Sequence, residues 1–414
     1  MNWSVELAKD GDYTLKLNDI YIYSKYKPID DAYRFILSEK NRLADKIFLV
    51  GLGLGYHLKA LLDHNTKAEI YVLVFDVNEF EMLEKYGDNT ILQNERVHII
   101  SLSTKEDVTD IITAQIIIPI QWIKAIGSKH KLTDFLEDIK LRQMSFDVIE
   151  KRMENNFEYT TRLNHPTVSK YKDAFTKETA CLVSSGPSLE DTIHTLKKFI
   201  CKAYIICMGS TLKMLLAHDL TPDAVVISDA KEVVKHQLLN TNYTGRLFYS
   251  ATASKEALEL HMGPKIVLYQ QGYEASESLA LKREVETLSV GGSVATLGFS
   301  LANYLGFENI ILFGQDLGFK GVKTHASLAT SGVQTKQAYT YKKVLANSGE
   351  FINASRSLNT YYRWFQKNVP LSKSNVFNTA WNGAKIRETN YISPKKLEEW
   401  AEKLPITDFE KLFK

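Results

Sequence analysis

Apolar runs alternate with small-residue turns and amphipathic stretches in the first part of the chain. KIFLV (46–50), EIYVLVFDVN (69–78) and RVHIISL (96–102) have the largely unbroken apolar character of strands covered on both faces. Helical periodicity follows a glycine turn at 51–55 and returns around 79–86. This alternation predicts a Rossmann-like unit with a parallel sheet.

The second part repeats this plan with more small and polar residues at its strand ends. A strand at 181–183 breaks into Ser-Ser-Gly-Pro-Ser (184–188) before an amphipathic helix. PDAVVISDA (222–230), VGGSVATLGFSLANYLG (290–306) and NIILFGQDLGFKGVKTHA (309–326) follow in order. The carboxyl ends of parallel strands meet at one sheet edge, where open α/β folds bind ligands. We therefore expect a ligand site at this edge of a second unit.

A long polar, amphipathic helical stretch at 132–162 joins the two parts. A chain of 414 residues favours two domains over one, and its 44% apolar residues supply large cores. We predict an α/β fold of two Rossmann-like units. The expected bounds are 1–155 for an N-terminal domain, 156–393 for a catalytic domain and 394–414 for a short C-terminal helix.

Charge and composition set expectations for the partners and the compartment of the chain. The net charge of +2 argues neither for nor against nucleic acid, but the chain has no dense basic tract, and nucleic acid is not an expected partner. Cys181, Cys201 and Cys207 lack metal-ligand spacing and are expected to be buried, reduced thiols. The longest apolar run, 111–120, is too short to span a bilayer, and the first residues lack the apolar core of a signal peptide. We expect a soluble cytoplasmic protein without a membrane segment.

The N-terminal glycine turn has two interpretations. Gly51, Gly53 and Gly55 follow a strand, and Asp76 ends the next one, a pattern typical of a dinucleotide or S-adenosylmethionine site. Alternatively, the glycines serve a tight turn and helix packing in a structural or substrate-positioning domain. The sequence leaves both open.

Two small-residue turns of the second part are candidates for binding a phosphate. Each leads into a helix, where backbone N–H groups and the helix dipole favour an anion. The alternative for each is an ordinary strand-to-helix turn or a capped helix start. The candidate residues are Ser185, Gly186, Pro187, Ser188, Gly291, Gly292, Ser293 and Thr296.

Three ionisable residues at strand ends or in loops complete the candidate chemistry. Asp229 ends an apolar strand and is either a ribose or base contact or a helix N-cap. Asp316 ends another strand, and His325 follows nine residues later in a glycine-containing loop. Histidine titrates near neutral pH and is suited to general-base catalysis, although a lone loop histidine is often only solvated. No D-x-D motif follows a strand, so a metal-held diphosphate is not indicated.

In this order, the motifs resemble those of the motility-associated-factor (Maf) family of flagellin glycosyltransferases. The matching runs are S-G-P-S-L, P-D-x-x-V-x-x-D, G-G-S-V-A-T and G-Q-D-L-G-F with a later T-H-A, together with the earlier G-L-G-L-G-Y-H-L. The resemblance covers roughly 45–390 and implies a sialyltransferase-like (GT-A-type variant) second domain. It implies metal-independent transfer of a nonulosonic acid, such as pseudaminic or legionaminic acid, from a CMP-sugar to Ser or Thr of flagellin. No cofactor beyond the donor is implied.

The resemblance also implies roles for individual residues. It makes His325 the catalytic base and Asp316 a second catalytic residue that orients the loop or contacts the nucleotide. The 186–188 turn and the 291–296 motif match the family's nucleotide-binding motifs. The remaining nucleotide- or substrate-binding assignments are Asn164, Ser185, Asp229, Gln315, Thr324 and Asn378.

Departures from the family pattern keep other functions open. Ser184, Ser185 and Trp381 replace usual family residues, and Gly318 and Phe319 stand where a phosphate-contacting tyrosine is expected. Candidate replacements for that tyrosine are Lys336, Tyr339 and Tyr341. Acceptor recognition falls to the N-terminal domain or to a hairpin-like segment around Ser348 and Gly349. The alternatives are a hydroxymethylpterin diphosphokinase-like enzyme using ATP and Mg²⁺, or a non-catalytic flagellin-binding assembly factor.

Overall fold

The computed structural model divides the chain into two compact α/β units, Met1–Gln143 and Met144–Lys414. The division falls within one long helix that spans Thr133–Arg162. The residues that the structure describes are 1–39, 46–101, 115–127, 130, 132–319, 325–330 and 342–413. The predicted fold class, two Rossmann-like units, is confirmed.

The first unit contains a parallel sheet and a small antiparallel sheet. The strands are β1 (Trp3–Leu7), β2 (Tyr13–Leu17), β3 (Ile20–Tyr21), β4 (Lys46–Val50), β5 (Glu69–Val74), β6 (Val97–Ser101) and β7 (Gln115–Ile117). The helices are α1 (Pro28–Ser38), α2 (Tyr56–His64), α3 (Asn78–Tyr86), α4 (Ile120–Ile126) and α5, the long helix. The parallel sheet has the order β6-β5-β4-β7, and β1, β2 and β3 form the antiparallel one.

The second unit is built around an eight-stranded, wholly parallel sheet in the order β12-β11-β10-β9-β8-β13-β16-β17. The sheet strands are β8 (Thr179–Val183), β9 (Tyr204–Met208), β10 (Ala224–Ile227), β11 (Arg246–Ser250), β12 (Lys265–Leu268), β13 (Asn309–Phe313), β16 (Asn375–Asn378) and β17 (Thr389–Tyr391). Strands β14 (Lys342–Leu345) and β15 (Phe351–Ala354) form a hairpin, which confirms the hairpin expected around Gly349.

Helices cover both faces of this sheet. They are α6 (Leu189–Leu196), α7 (Leu212–Ala217), α8 (Lys235–Leu238), α9 (Lys255–Leu260), α10 (Glu274–Lys282), α11 (Val294–Leu305), α12 (Arg356–Asn368) and α13 (Pro394–Lys403). Helices α6 and α13 pack on one face through Leu189 and Leu397, and α11 and α12 pack on the other through Leu301 and Phe365. Among the described helices, none combines the length and the apolar character needed to cross a bilayer.

The strand order reverses between β8 and β13, and this reversal positions the candidate site. The chain adds β9 to β12 on one side of β8 and then returns to place β13 on its other side, with Val183 opposite Phe313. The chain continues from these two strands to helices on opposite faces of the sheet, α6 after β8 and α12 after β13, and ligand crevices of open α/β sheets form at such a reversal.

The cysteine expectation is correct for two of the three thiols. Cys181 and Cys207 are buried in β8 and β9, and burial raises the pKa of both thiols. Cys201 is exposed, so the expectation is wrong there. It precedes β9 in a connection with a φ of 60° rather than lying in the apolar strand. All three are free thiols.

Asp223, at the amino end of β10, makes the stability of the second unit depend on pH. Its carboxylate accepts a 2.7 Å hydrogen bond from the Ile205 N–H. Burial raises the pKa of Asp223 from 3.8 to about 6. Because the folded state holds this proton more tightly, the stabilisation is complete below about pH 4 and is lost as pH rises through 6.

We expect Asp223→Asn, which keeps an acceptor oxygen, to remove this pH dependence. The free energy of unfolding of the native chain, relative to that variant, is expected to fall by up to roughly 3 kcal/mol between pH 4 and pH 7. Urea denaturation at several pH values measures the difference. Parallel stability curves for the two chains would contradict the raised pKa.

Candidate functional site

The turns that leave β8 and β13 are bonded to each other at the strand-order reversal. The Ser184 N–H donates to the Phe313 carbonyl, and the Gly186 N–H donates to the Gly314 carbonyl, both at 2.9 Å. A Cβ atom at Gly186 would lie 2.1 Å from Asp316 Oδ2 and 2.3 Å from the Gly314 oxygen. Glycine is therefore required here for the close approach of the second turn.

Asp316 and Gln315 fix these turns through their side chains. Asp316, only 6% exposed, accepts hydrogen bonds from Ser188 Oγ at 2.8 Å and from the Ser188 N–H at 3.1 Å. Gln315 Oε1 accepts one from Ser184 Oγ at 2.8 Å. Ser188 is the N-cap of α6, so a carboxylate of the protein occupies the helix end that the sequence assigned to a phosphate. This geometry gives Asp316 a positioning role.

His325 lies next to Ser185 because the chain around it is bonded to two strand ends. The Ala326 N–H donates to the Ser185 carbonyl at 2.8 Å, and the Thr330 N–H donates to the Ser210 carbonyl at 3.0 Å. Ser327 bonds the Glu190 carboxylate on α6 at 2.7 Å. Burial lowers the pKa of His325, so its imidazole is neutral near pH 7. A general base needs this form.

Ser210 also lies at this site, although the sequence motifs do not single it out. It is buried in the turn after β9, and its hydroxyl lies 3.4 Å from the Ser185 hydroxyl. The Gly209-Ser210 pair after an apolar strand is a signal for this turn in the sequence. Its proximity to Ser185 depends on the pairing of β8 with β9.

Most of the 291–296 motif has a structural role. Ser293 is the N-cap of α11, and its Oγ accepts from the Thr296 N–H at 3.3 Å. Thr296 Oγ1 in turn accepts from the Gly291 N–H at 2.9 Å and donates to the Ser293 carbonyl at 2.6 Å. Gly292 differs, because it is exposed and has a φ of 89°. It is the member of this motif that leaves room for a ligand to approach.

Comparison with known proteins identifies the fold. A family model described as 6-hydroxymethylpterin diphosphokinase MptE-like matches residues 151–322. The structure of the MAf glycosyltransferase from Magnetospirillum magneticum AMB-1 aligns with 100% of this chain and 72% of its own, with a TM-score of 0.56 and 17% identity. The chain shares the Maf fold. The resemblance read from the sequence motifs is thereby confirmed for the fold.

Other comparisons add little. No curated protein matches the chain. The A chain of dipicolinate synthase from Bacillus subtilis aligns with 64% of this chain and 96% of its own at 13% identity, but its TM-score of 0.11 is too low to carry an argument. The positions of the remaining candidate residues are therefore described in the Maf fold.

Asn378 and Asp229 lie at the same carboxyl edge of the Maf fold as the turns. Asn378 ends β16 and is fully buried, with its Oδ1 accepting from the Ala380 N–H at 3.0 Å. Asp229 follows β10 and accepts from the Lys231 N–H at 3.0 Å, so it closes a local turn instead of capping a helix. Its side chain is 48% exposed. Asp229 is thus open to a ligand, whereas Asn378 is enclosed.

Asn164 does not join this cluster. Thr167 pairs in parallel with Val267 of β12, which places Asn164, three residues earlier, level with the amino end of that strand. The candidate turns lie at the opposite, carboxyl edge.

Pro187 is buried between Gly186 and Ser188 in the first turn. Thr324 and the phosphate-site candidates Lys336, Tyr339 and Tyr341 lie outside the described residues. All these assignments stay predictions.

In the first unit, a carboxylate fills the glycine turn. Glu79 is fully buried, and its Oε2 accepts from the N–H groups of Leu52 at 2.6 Å and Gly53 at 3.1 Å. Its Oε1 accepts from the Phe75 N–H at 2.7 Å. A Cβ atom at Gly51 would lie 2.1 Å from the Trp122 ring. This arrangement favours the structural interpretation of the turn over cofactor binding.

Proposed function

We propose that this chain is a metal-independent glycosyltransferase. It moves a nonulosonic acid from a CMP-sugar to a Ser or Thr hydroxyl of flagellin. The observation that carries the proposal is the neutral His325 held beside Ser185 at the strand-order reversal of a parallel sheet. Similarity to the fold of the Magnetospirillum MAf glycosyltransferase supports the reaction class.

The proposed step uses His325 as the general base. His325 accepts the proton of the acceptor hydroxyl while that oxygen attacks the anomeric carbon of the sugar. The bond between this carbon and the phosphate oxygen breaks, and CMP leaves with the bonding electrons. Attack opposite the leaving group inverts the anomeric configuration. The proton passes from His325 to solvent, which restores the base.

The leaving phosphate needs hydrogen-bond donors, and the geometry favours particular ones. The Ser188 N–H is bonded to Asp316, so α6 is not the principal anion site while that bond holds. The hydroxyls of Ser185 and Ser210 lie on the turns nearest His325. We assign these two side chains to the phosphate.

The family-model match favours a second candidate, a diphosphokinase. The matched residues 151–322 include the turns after β8 and β13 and end before His325. Such an enzyme transfers the terminal diphosphate of ATP to a hydroxymethylpterin and uses Mg²⁺. Its nucleotide would occupy the same crevice.

Calorimetric titration with CMP, CDP, ATP and S-adenosylmethionine, each with and without Mg²⁺, separates the two. We expect CMP to bind without Mg²⁺, and Ser185→Ala to weaken it about 3- to 10-fold through loss of one hydrogen bond. Ser38→Ala, an exposed change in α1, is the control. ATP binding that requires Mg²⁺ would replace the transferase with the diphosphokinase. If none of these nucleotides binds, the result would favour the non-catalytic flagellin-binding factor.

Binding of CMP leads directly to a transfer assay. CMP-nonulosonic acids and purified flagellin are incubated with the chain, and the mass increase of flagellin is measured. Nonulosonic acid on flagellin is the expected result. Absence of transfer with each tested donor, despite CMP binding, would contradict the assigned donor class.

A further inference from the structure

Tyr361 of α12 lies beside the exposed glycine of the 291–296 motif. A Cβ atom at Gly292 would lie 3.4 Å from Tyr361 Cε1. One helical turn later, Trp364 packs against Gly291, where a Cβ atom would lie 2.4 Å from its ring. Together, these two aromatic residues support the glycine loop. The ring of Tyr361 therefore forms a wall beside the position where Gly292 leaves space.

The Tyr361 hydroxyl is available for a ligand. The ring is largely buried, yet among the described residues its hydroxyl makes no hydrogen bond. Burial and the nearby Asp229 carboxylate raise the pKa of Tyr361, so the phenol keeps its proton at neutral pH. A protonated phenol both donates and accepts a hydrogen bond.

The chemistry of Asp229 bears on what binds there. Its carboxylate lies 3.9 Å from Lys231 Nζ and, as an acceptor, suits the hydroxyl groups of a ligand. The neighbouring strand ends are also polar: Gln270 Nε2 donates to Thr252 Oγ1 at 2.7 Å, and the buried Gln270 Oε1 has no partner among the described residues. The acceptor oxygens of Asp229 and Gln270 suit the hydroxyl groups of a polyol.

Helix α11 packs against β9 and β10, and the Gly292 turn at its start contacts Tyr361, so Tyr361 and Asp229 lie at the same carboxyl edge of the sheet. Asp229 follows β10, Ser210 follows β9 and Ser185 follows β8, so two strand spacings, roughly 10 Å, separate the first from the last. A phosphate that contacts both Ser185 and Ser210 lies between the ends of β8 and β9, about one and a half strand spacings, roughly 7 Å, from Asp229, and the 2′- and 3′-hydroxyls of a nucleotide lie at a similar distance from its 5′-phosphate. With its phosphate at Ser185 and Ser210, its ribose reaches Asp229.

We propose that Tyr361 and Asp229 form the ribose subsite of this crevice, with the phenol and the carboxylate bonding the two vicinal hydroxyls. This assignment rests on the nucleotide-dependent function proposed above. It makes Tyr361 a specificity-determining residue that distinguishes ribose from deoxygenated sugars. The sequence motifs do not include it, because α12 lies more than sixty residues beyond the glycine loop.

Titration of the full chain with CMP and with 2′,3′-dideoxy-CMP tests the subsite. We expect Tyr361→Phe to weaken CMP about 3- to 10-fold, the effect of one hydrogen bond, and to leave the dideoxy nucleotide within about twofold. Tyr362→Phe is the matched control, because the Tyr362 hydroxyl bonds the Lys385 carbonyl instead. It is expected to bind both nucleotides like the native chain.

Each other outcome has a distinct meaning. Equal weakening of both nucleotides by Tyr361→Phe would move the residue to the phosphate or base and overturn the ribose assignment. Unchanged CMP affinity would remove Tyr361 from the site. If the native chain binds ATP instead of CMP, the same comparison with 2′,3′-dideoxy-ATP applies. Native protein that binds neither nucleotide would overturn the proposed function itself and the subsite with it.

Discussion

Replacing His325 with alanine is expected to lower glycosyl transfer by about 10²- to 10⁴-fold, the usual contribution of a general base. CMP affinity is expected to stay near that of the native chain. The backbone bond from Ala326 to Ser185 does not depend on the imidazole, so the segment keeps its place. Single-turnover transfer to flagellin measures the rate, and calorimetry with CMP measures donor binding.

The pH profile adds a second readout for the same residue. Because burial lowers the pKa of His325, the acid limb of kcat/KM is expected below pH 6.5. His194→Ala, at an exposed position of α6, is the control and is expected to keep native transfer. Near-native transfer by His325→Ala would remove the base from this mechanism.

Replacing Glu79 with alanine is expected to destabilise the first unit by roughly 3–5 kcal/mol. The change removes the acceptor of buried N–H groups in two turns, each costing about 1–3 kcal/mol when unpaired, and water recovers part of this. Glu79→Gln keeps one acceptor oxygen and is expected to lose less. Glu81→Ala, on the exposed side of α3, is the control. Urea denaturation of the full chain measures these differences.

The same carboxyl group also predicts a pH effect. Burial raises the pKa of Glu79 from 4.5 to about 7, although the bound N–H groups act in the opposite direction. Its stabilisation is therefore complete below about pH 4.5 and is lost as pH rises through 7. Glu79→Gln is expected to flatten that part of the curve. If Glu79→Ala is as stable as Glu81→Ala, the carboxylate does not hold the turn.

The sequence predicts the two units well because their strands are long apolar runs separated by small residues. The rule that parallel strands expose their carboxyl ends at one edge also places Ser185, Asp229 and Asp316 together. It does not reveal that Asp316 bonds Ser188, since that contact joins residues 128 positions apart through the pairing of β8 with β13. The sequence also does not reveal that Glu79 bonds the glycine turn, because that contact joins residues 26 and 27 positions apart.

The positions of two other candidate residues depend on packing between helices and loops. Gly291 suggests a phosphate loop in the sequence, but it is required by the ring of Trp364 on a later helix. Asn164 precedes the first strand of its unit in the chain. The edge of the sheet at which it lies depends on the pairing of Thr167 with Val267 of β12. Local patterns carry no information about either neighbour.

The central position of β8 affects how the protein is made. Its partner β9 follows soon after it in the chain. The other partner, β13, and the Asp316 carboxylate that bonds Ser188 are synthesised only about 128 residues later. At roughly 5–20 residues per second, a ribosome needs about 10 s to synthesise that interval. During this time one side of β8 lacks its neighbour, and an unpaired apolar strand edge invites aggregation. This edge of β8 stays unpaired until β13 emerges, so the paired turns of the candidate site are among the last features of the sheet to form.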